Sequence, residues 1–224
     1  MTAAGLGYER FSSGRRQEWM MRIGAPDAPP ILFVPPLFEE MNRTRALIAA
    51  AMRALAARGH GCWLPDLCGT GESEAALPTV AWEDWRCDVM AAAEHVRRAA
   101  ATPPLVASLR GGCLVDDSAG AIGWWRFAPV AGKSLARDMV RAGIAGVEWA
   151  GYAPSPELRG RLEDAQPVDQ GPLRVARLQS DAAAADAKLV GPALWRRSEP
   201  GSSAELAEAL ANDIAGWRRT CAAS

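Results

Sequence analysis

Pro104-Leu105-Val106-Ala107-Ser108-Leu109-Arg110-Gly111-Gly112 decides how this chain is read. Leu105 to Leu109 is a short apolar run behind a proline, the pattern of a strand buried on both faces. Arg110 and two glycines follow at once. Glycine has no Cβ, so Gly111 and Gly112 permit a tight backbone and a close approach by another segment. The stretch is therefore expected to run from strand through a sharp corner into a helix start. The side chain presented at the corner is that of Arg110.

To the N-terminal side, residues 8–12 and 17–23 read as two strands of a hairpin. Ile31-Leu32-Phe33-Val34 is a continuous apolar run, expected as a central parallel strand, and it stops at Pro35-Pro36. Residues 37–41 read as a loop. Asn42 reads as the N-cap of a helix that carries Leu47, Ile48, Met52 and Leu55 at helical spacing and is ended by Gly59. Cys62-Trp63-Leu64-Pro65 is the next strand. Strand, helix and strand within about 35 residues make a right-handed crossover unit. Residues 82–100 form a helix with Trp82, Trp85, Val89 and Val96 near one face.

To the C-terminal side, residues 123–127 read as a strand and 133–142 as a helix. Residues 147–152 read as an irregular piece of a cap. Residues 154–165 form a helix opened by Ser155-Pro156, and 173–179 a strand with Asp181 just past its end. Residues 189–195 read as a weak last strand or a loop. Ser202 or Ser203 caps a final helix reaching about Arg218. The result is an α/β chain with a mostly parallel central sheet flanked by helices, read as one domain over residues 1–224.

Composition narrows the function classes. The net charge of −1 argues for neither nucleic acid nor an anionic membrane surface. No apolar run approaches the roughly 20 residues of a membrane span, so no stable membrane insertion is expected. The N-terminus lacks the basic and apolar regions of a signal peptide. Five cysteines without a C-x-x-C pair argue against a zinc or disulfide framework and for reduced thiols in a cytoplasmic protein. Gly69-Thr70-Gly71 lacks the third glycine and the lysine of nucleotide motifs and reads as a structural turn. No cofactor and no metal are expected.

The order of elements matches the α/β-hydrolase fold in a reduced form. Pro65-Asp66-Leu67-Cys68-Gly69-Thr70-Gly71-Glu72-Ser73 is similar to a turn common in that superfamily. Val34-Pro35-Pro36-Leu37-Phe38-Glu39-Glu40-Met41-Asn42-Arg43 resembles a segment of the exosortase A system-associated hydrolases, in particular the type called hydrolase 2. Ser108-Leu109-Arg110-Gly111-Gly112 resembles that family's elbow, which also carries Arg. Trp125 to Lys133 and Trp149 to Tyr152 add weaker likenesses. The resemblance implies an exopolysaccharide-associated hydrolase acting on a small-molecule or acyl substrate. It supplies no substrate identity.

In this fold the nucleophile stands at the corner of a G-x-S-x-G elbow, followed along the chain by an acid and then a histidine. Arg110 occupies the nucleophile's place. Ser108 lies two residues earlier, where its side chain is expected to face the sheet packing. Ser118, in Asp116-Asp117-Ser118-Ala119-Gly120, copies part of an esterase elbow, but the strand at Gly123 follows too soon. An Asx/Ser-rich loop is the preferred reading there. Asp181 fits the acid position, and a solvated loop aspartate is the equal alternative. His60 and His95, the two histidines, both precede the elbow. Ester or acyl hydrolysis with a degenerate triad and a catalytically inactive ligand-binding or scaffold protein therefore both remain open. For Arg110, pairing with Glu39 or Glu40 is expected, and Glu40 is favoured. These three residues and Asn42 are the expected pocket residues.

Overall fold

The computed structural model describes residues 5–142, 149 and 151–223. Eight strands form one sheet: β1 (Leu6–Ser13), β2 (Arg16–Ile23), β3 (Pro30–Val34), β4 (Gly61–Pro65), β5 (Leu105–Leu109), β6 (Gly123–Phe127), β7 (Leu173–Leu178) and β8 (Ala187–Leu189). Their spatial order is β1-β2-β4-β3-β5-β6-β7-β8. β1 and β2 pair as an antiparallel hairpin, and β2 pairs antiparallel with β4. All other pairings, from β4 through β3 and β5 to β8, are parallel.

Among the described residues, five α-helices pack on this sheet: α1 (Glu39–Ala56), α2 (Trp82–Ala100), α3 (Gly132–Ala142), α4 (Pro156–Asp164) and α5 (Ala204–Ala222). Successive side chains of a strand point to opposite faces. Ile31 and Phe33 of β3 join Leu47, Ile48 and Leu55 of α1 and Leu210 and Ile214 of α5. Leu32 and Val34 join Trp85, Val89 and Val96 of α2 and Leu135 of α3. Both faces being covered, the strand is apolar throughout, and each fully buried large side chain contributes about 1.5–3 kcal/mol.

Several boundaries differ from expectation. α1 begins at Glu39, so Asn42 lies in its first turn and is not its cap. The residue before it, Phe38, has φ 56° and caps with no side-chain hydrogen bond. Its ring is held by Trp85, Trp149 and Tyr152, so packing sets the helix start in place of a polar cap. β8 covers residues 187–189, and a 3-10 turn at Leu194–Arg196 occupies the end of the stretch read as a weak strand. Ser203, and not Ser202, caps α5 by accepting from Leu206 N–H. Of the irregular piece at 147–152, residues 147, 148 and 150 lie outside the described residues, and Trp149 and Tyr152 bridge to each other. Among the described residues, no helix is long and apolar enough to cross a membrane.

Candidate functional site

β5 is buried along its whole length and ends at Leu109; Arg110 follows, with a φ of +52°. That left-handed conformation is strained for a residue with a side chain, and strain of this kind persists only where the surroundings enforce it. The end of β3 and the loop after it come close to the next two residues of the corner. A Cβ on Gly112 would strike the Pro35 carbonyl oxygen and lie 2.7 Å from that of Val34. A Cβ on Gly111 would lie 2.7 Å from Leu135 Cδ2. Both glycines of the corner are thus fixed by contact.

An α-helix was expected after the corner. Two short 3-10 turns, Arg110–Leu114 and Asp116–Ser118, take its place. β6 begins at Gly123, leaving no length for a longer helix. The corner therefore lacks the aligned N–H groups that make an α-helix start an anion site.

Arg110 is buried and turns towards α1. Its Nη2 donates to Glu40 Oε1 at 2.8 Å, and its Nε reaches both Glu40 oxygens at 3.2 Å. Nη1 donates to the Ala128 carbonyl at 3.4 Å. The guanidinium stacks 4.9 Å from the Trp195 ring centre, and Asp138 Oδ2 lies 3.8 Å away. Burial pushes the Glu40 carboxyl up, and Arg110 offsets that rise only in part. Phe38 and Ala128, at φ 56° and 48°, flank this pair, so strained backbone gathers around it.

The neighbouring first turn of α1 is tied to other parts. Asn42 Nδ2 donates to Glu39 Oε2 and to Tyr152 Oη, each at 2.9 Å. Arg43 donates to the Trp195 carbonyl at 3.0 Å. Glu39, Glu40, Arg43, Asp138, Trp195 and Arg196 are among the residues lining a cavity of about 520 Å³. Arg110 lies behind Glu40 and is not part of the wall. Asn42 lines a second cleft of about 150 Å³ together with Asp66, Thr70 and Tyr152.

The serines are placed differently from a nucleophile. Ser108 is fully buried inside β5, level with Val34 and Arg126. Its hydroxyl makes no hydrogen bond; burial pushes the nearby Asp116 carboxyl up, and Arg126 and to a lesser degree Ser108 oppose that rise only in part. Ser118 Oγ donates to the Val115 carbonyl at 2.8 Å within its 3-10 turn.

Asp181 follows β7 and accepts from Ala183 N–H at 3.0 Å and from Arg177 Nη1 at 2.9 Å. These two donors hold its carboxyl below the usual range. No hydrogen bond joins it to Arg110, Ser108 or Ser118 among the described residues. His60 precedes β4 and is level with the start of the parallel strands, at the end opposite Arg110. His95 sits late in α2, 3.5 Å from Glu9 of β1. Burial pushes the Cys68 thiol up to about 12 and the Cys113 thiol well above its ordinary range, so both stay protonated at neutral pH.

One buried pair escapes sequence reading altogether. Arg126, in the middle of β6, forms a two-point ion pair with Asp116 at 2.9 and 2.7 Å. Arg126 is 1% exposed and Asp116 is not exposed at all. The available signal was an arginine inside an otherwise apolar strand, Gly123-Trp124-Trp125-Arg126-Phe127. Such a residue demands a carboxylate.

No protein-family model matches the chain. No curated protein matches it either. Solved structures do. Est1E from Butyrivibrio proteoclasticus, in a complex with ferulic acid, superposes with a TM-score of 0.66 at 12% identity, covering 96% of this chain and 100% of that one. A putative aryl esterase from Burkholderia cenocepacia gives 0.61 at 14% identity over 97% and 100%. A thermophilic esterase from Thermogutta terrifontis gives 0.59 at 16% identity over 97% and 99%. An epoxide hydrolase from Vigna radiata matches in part, with a TM-score of 0.44 at 16% identity over 55% of this chain and 38% of that one. The strand order, the crossovers and these full-length superpositions agree: the chain has the α/β-hydrolase fold.

Proposed function

We propose that this chain is a ligand-binding relative of the exosortase-associated hydrolases, with a degenerate triad in which Arg110 stands in the nucleophile's place. The observation that carries the reading is the Arg110–Glu40 pair at the corner after β5. An elbow nucleophile needs a hydroxyl or thiol facing a base. A guanidinium stays charged at any ordinary pH, and it neither attacks a carbonyl nor accepts a proton. Asp181 has no histidine to orient.

The cavity beside the pair supports binding. About 520 Å³ holds a small molecule. Arg43, Arg141 and Arg196 on its wall face Glu39, Glu40 and Asp138, with Trp195 and Met139 as the apolar part. This lining suits a small polar ligand with a carboxylate or a zwitterionic group. The likeness of residues 35–42 to the exosortase-associated segment supports the family assignment. Five free cysteines support a reducing, cytoplasmic setting.

Ester or acyl hydrolysis is the second reading, and the fold shared with esterases favours it. A fluorophosphonate probe separates the two. The expected result is no labelled serine by intact mass across the neutral and alkaline range. Stoichiometric labelling of Ser108 or Ser118 would overturn the proposal. Binding is read by a thermal-shift screen of small carboxylates and sugar acids. Ligands that bind here lose their shift in Arg196→Ala. A screen without a single Arg196-dependent shift would withdraw the binding assignment.

A further inference from the structure

The cavity beside the Arg110–Glu40 pair has three carboxylates on its wall, and each is answered within the protein. Glu40 is held by Arg110. Glu39 Oε2 accepts from Asn42, and its Oε1 stands 3.5 Å from Arg43 Nε. Asp138 lies between Arg110 at 3.8 Å and Arg141 at 4.0 Å. The cations are not answered in the same way. Arg196 is exposed, and among the described residues its guanidinium meets no carboxylate and makes no hydrogen bond.

Two further donors are buried without an acceptor. Trp195 is 7% exposed, and its Nε1 makes no hydrogen bond. Arg43 Nε makes none either. Both residues line the cavity. They meet at one place: Arg43 Nη1 donates to the Trp195 carbonyl, within the 3-10 turn that also carries Arg196. A buried N–H left without an acceptor is costly. With Arg110 counted behind Glu40, four guanidiniums meet three carboxylates, so one positive charge is left over.

We propose that this cavity takes a small monocarboxylate with an apolar body and turns away zwitterions, an inference that rests on the ligand-binding reading above. The carboxylate accepts from Trp195 Nε1 and Arg43 Nε and neutralises Arg196. The apolar body lies on Met139 and the Trp195 ring. One anionic charge matches the one cation left over. The two oxygens of a carboxylate offer about four lone pairs, enough for all three groups. An ammonium on the same ligand would find no free carboxylate, and it would sit among Arg43, Arg141 and Arg196. An indole N–H and a guanidinium can only donate, so neither accepts from an amine. Trp195 and Arg43 are thereby the residues that set specificity.

Calorimetric titration of the full chain with matched probes tests the ligand class. 3-Phenylpropionate and hexanoate carry the carboxylate alone, and phenylalanine and norleucine add an ammonium to the same skeletons. Each acid should bind at least about tenfold tighter than its amino acid. Trp195→Phe keeps an aromatic ring, removes the N–H and should weaken the acids about tenfold. Arg196→Gln should weaken them about fivefold and flatten the salt dependence. Arg197→Gln, outside the cavity wall, should leave both unchanged. The comparison of acid with amino acid needs no variant and carries the test if Trp195→Phe fails to fold. An amino acid that binds as tightly as its acid would overturn the monocarboxylate class and leave the ligand-binding reading standing. Acids that bind folded Trp195→Phe as tightly as the parent, yet lose affinity in Arg196→Gln, would overturn the donor assignment alone. Binding indifferent to Arg196 would overturn both readings. No binding of either acid would overturn this inference, and the wider screen of carboxylates and sugar acids then decides the ligand-binding reading.

Discussion

Arg110 Nη2 stands 2.8 Å from Glu40 Oε1, and both side chains are more than nine-tenths buried. The pair links the end of β5 to the first turn of α1, two elements that are 70 residues apart in sequence. Pairs of this kind add little net stability, yet breaking one leaves a buried charge alone.

Arg110→Ser should therefore cost about 3–5 kcal/mol, read by urea denaturation. It should not create an esterase, because neither histidine reaches the corner. Turnover of p-nitrophenyl acetate by a folded Arg110→Ser protein would contradict this account, as would unchanged stability.

Asp116 and Arg126 make the second buried pair. Arg126→Met should destabilise by about 3–5 kcal/mol through the stranded Asp116. Asp116→Leu combined with Arg126→Met should be milder than either single change, with a coupling of at least about 1 kcal/mol. A double mutant whose losses simply add would show that the two residues act independently.

Gly112 is pressed against the carbonyls of Val34 and Pro35, whereas Gly120 has nothing within 4 Å of an added Cβ. Gly112→Ala should lose at least about 2 kcal/mol from overpacking against backbone. Gly120→Ala should stay within about 0.5 kcal/mol of the parent. Equal melting temperatures for the two variants would mean that the corner is not fixed by this contact.

Asp181 has a carboxyl held below its ordinary range by Ala183 N–H and Arg177. A depressed carboxyl stabilises the fold above its unfolded pKa of about 4, and that contribution fades as pH falls through the folded value. Its side chain is 35% exposed, so Asp181→Asn should cost under about 1 kcal/mol at pH 7. The gap between the two proteins should narrow as pH is lowered below about 4. Urea midpoints measured across that range check the sign, and a gap that widens in acid reverses it.

Sequence alone determined most of the strands and helices and their order along the chain. Ile31 to Val34 and Leu105 to Leu109 are apolar without alternation, which only a doubly covered strand explains. Arg110 in the elbow pattern and the lack of a histidine after it were equally legible, since both depend on residue identity and order. Three features needed the tertiary structure. α1 starts at Glu39 because the aromatic contacts of Phe38 set it, and local capping chemistry cannot report such contacts. Arg126 finds Asp116 only once β6 is laid beside β5, because a long-range ion pair depends on sheet register. Arg43 and Trp195 are separated by 152 residues in sequence and share no spacing motif. The first turn of α1 and the 3-10 turn after β8 bring them together, and chain folding alone creates that proximity.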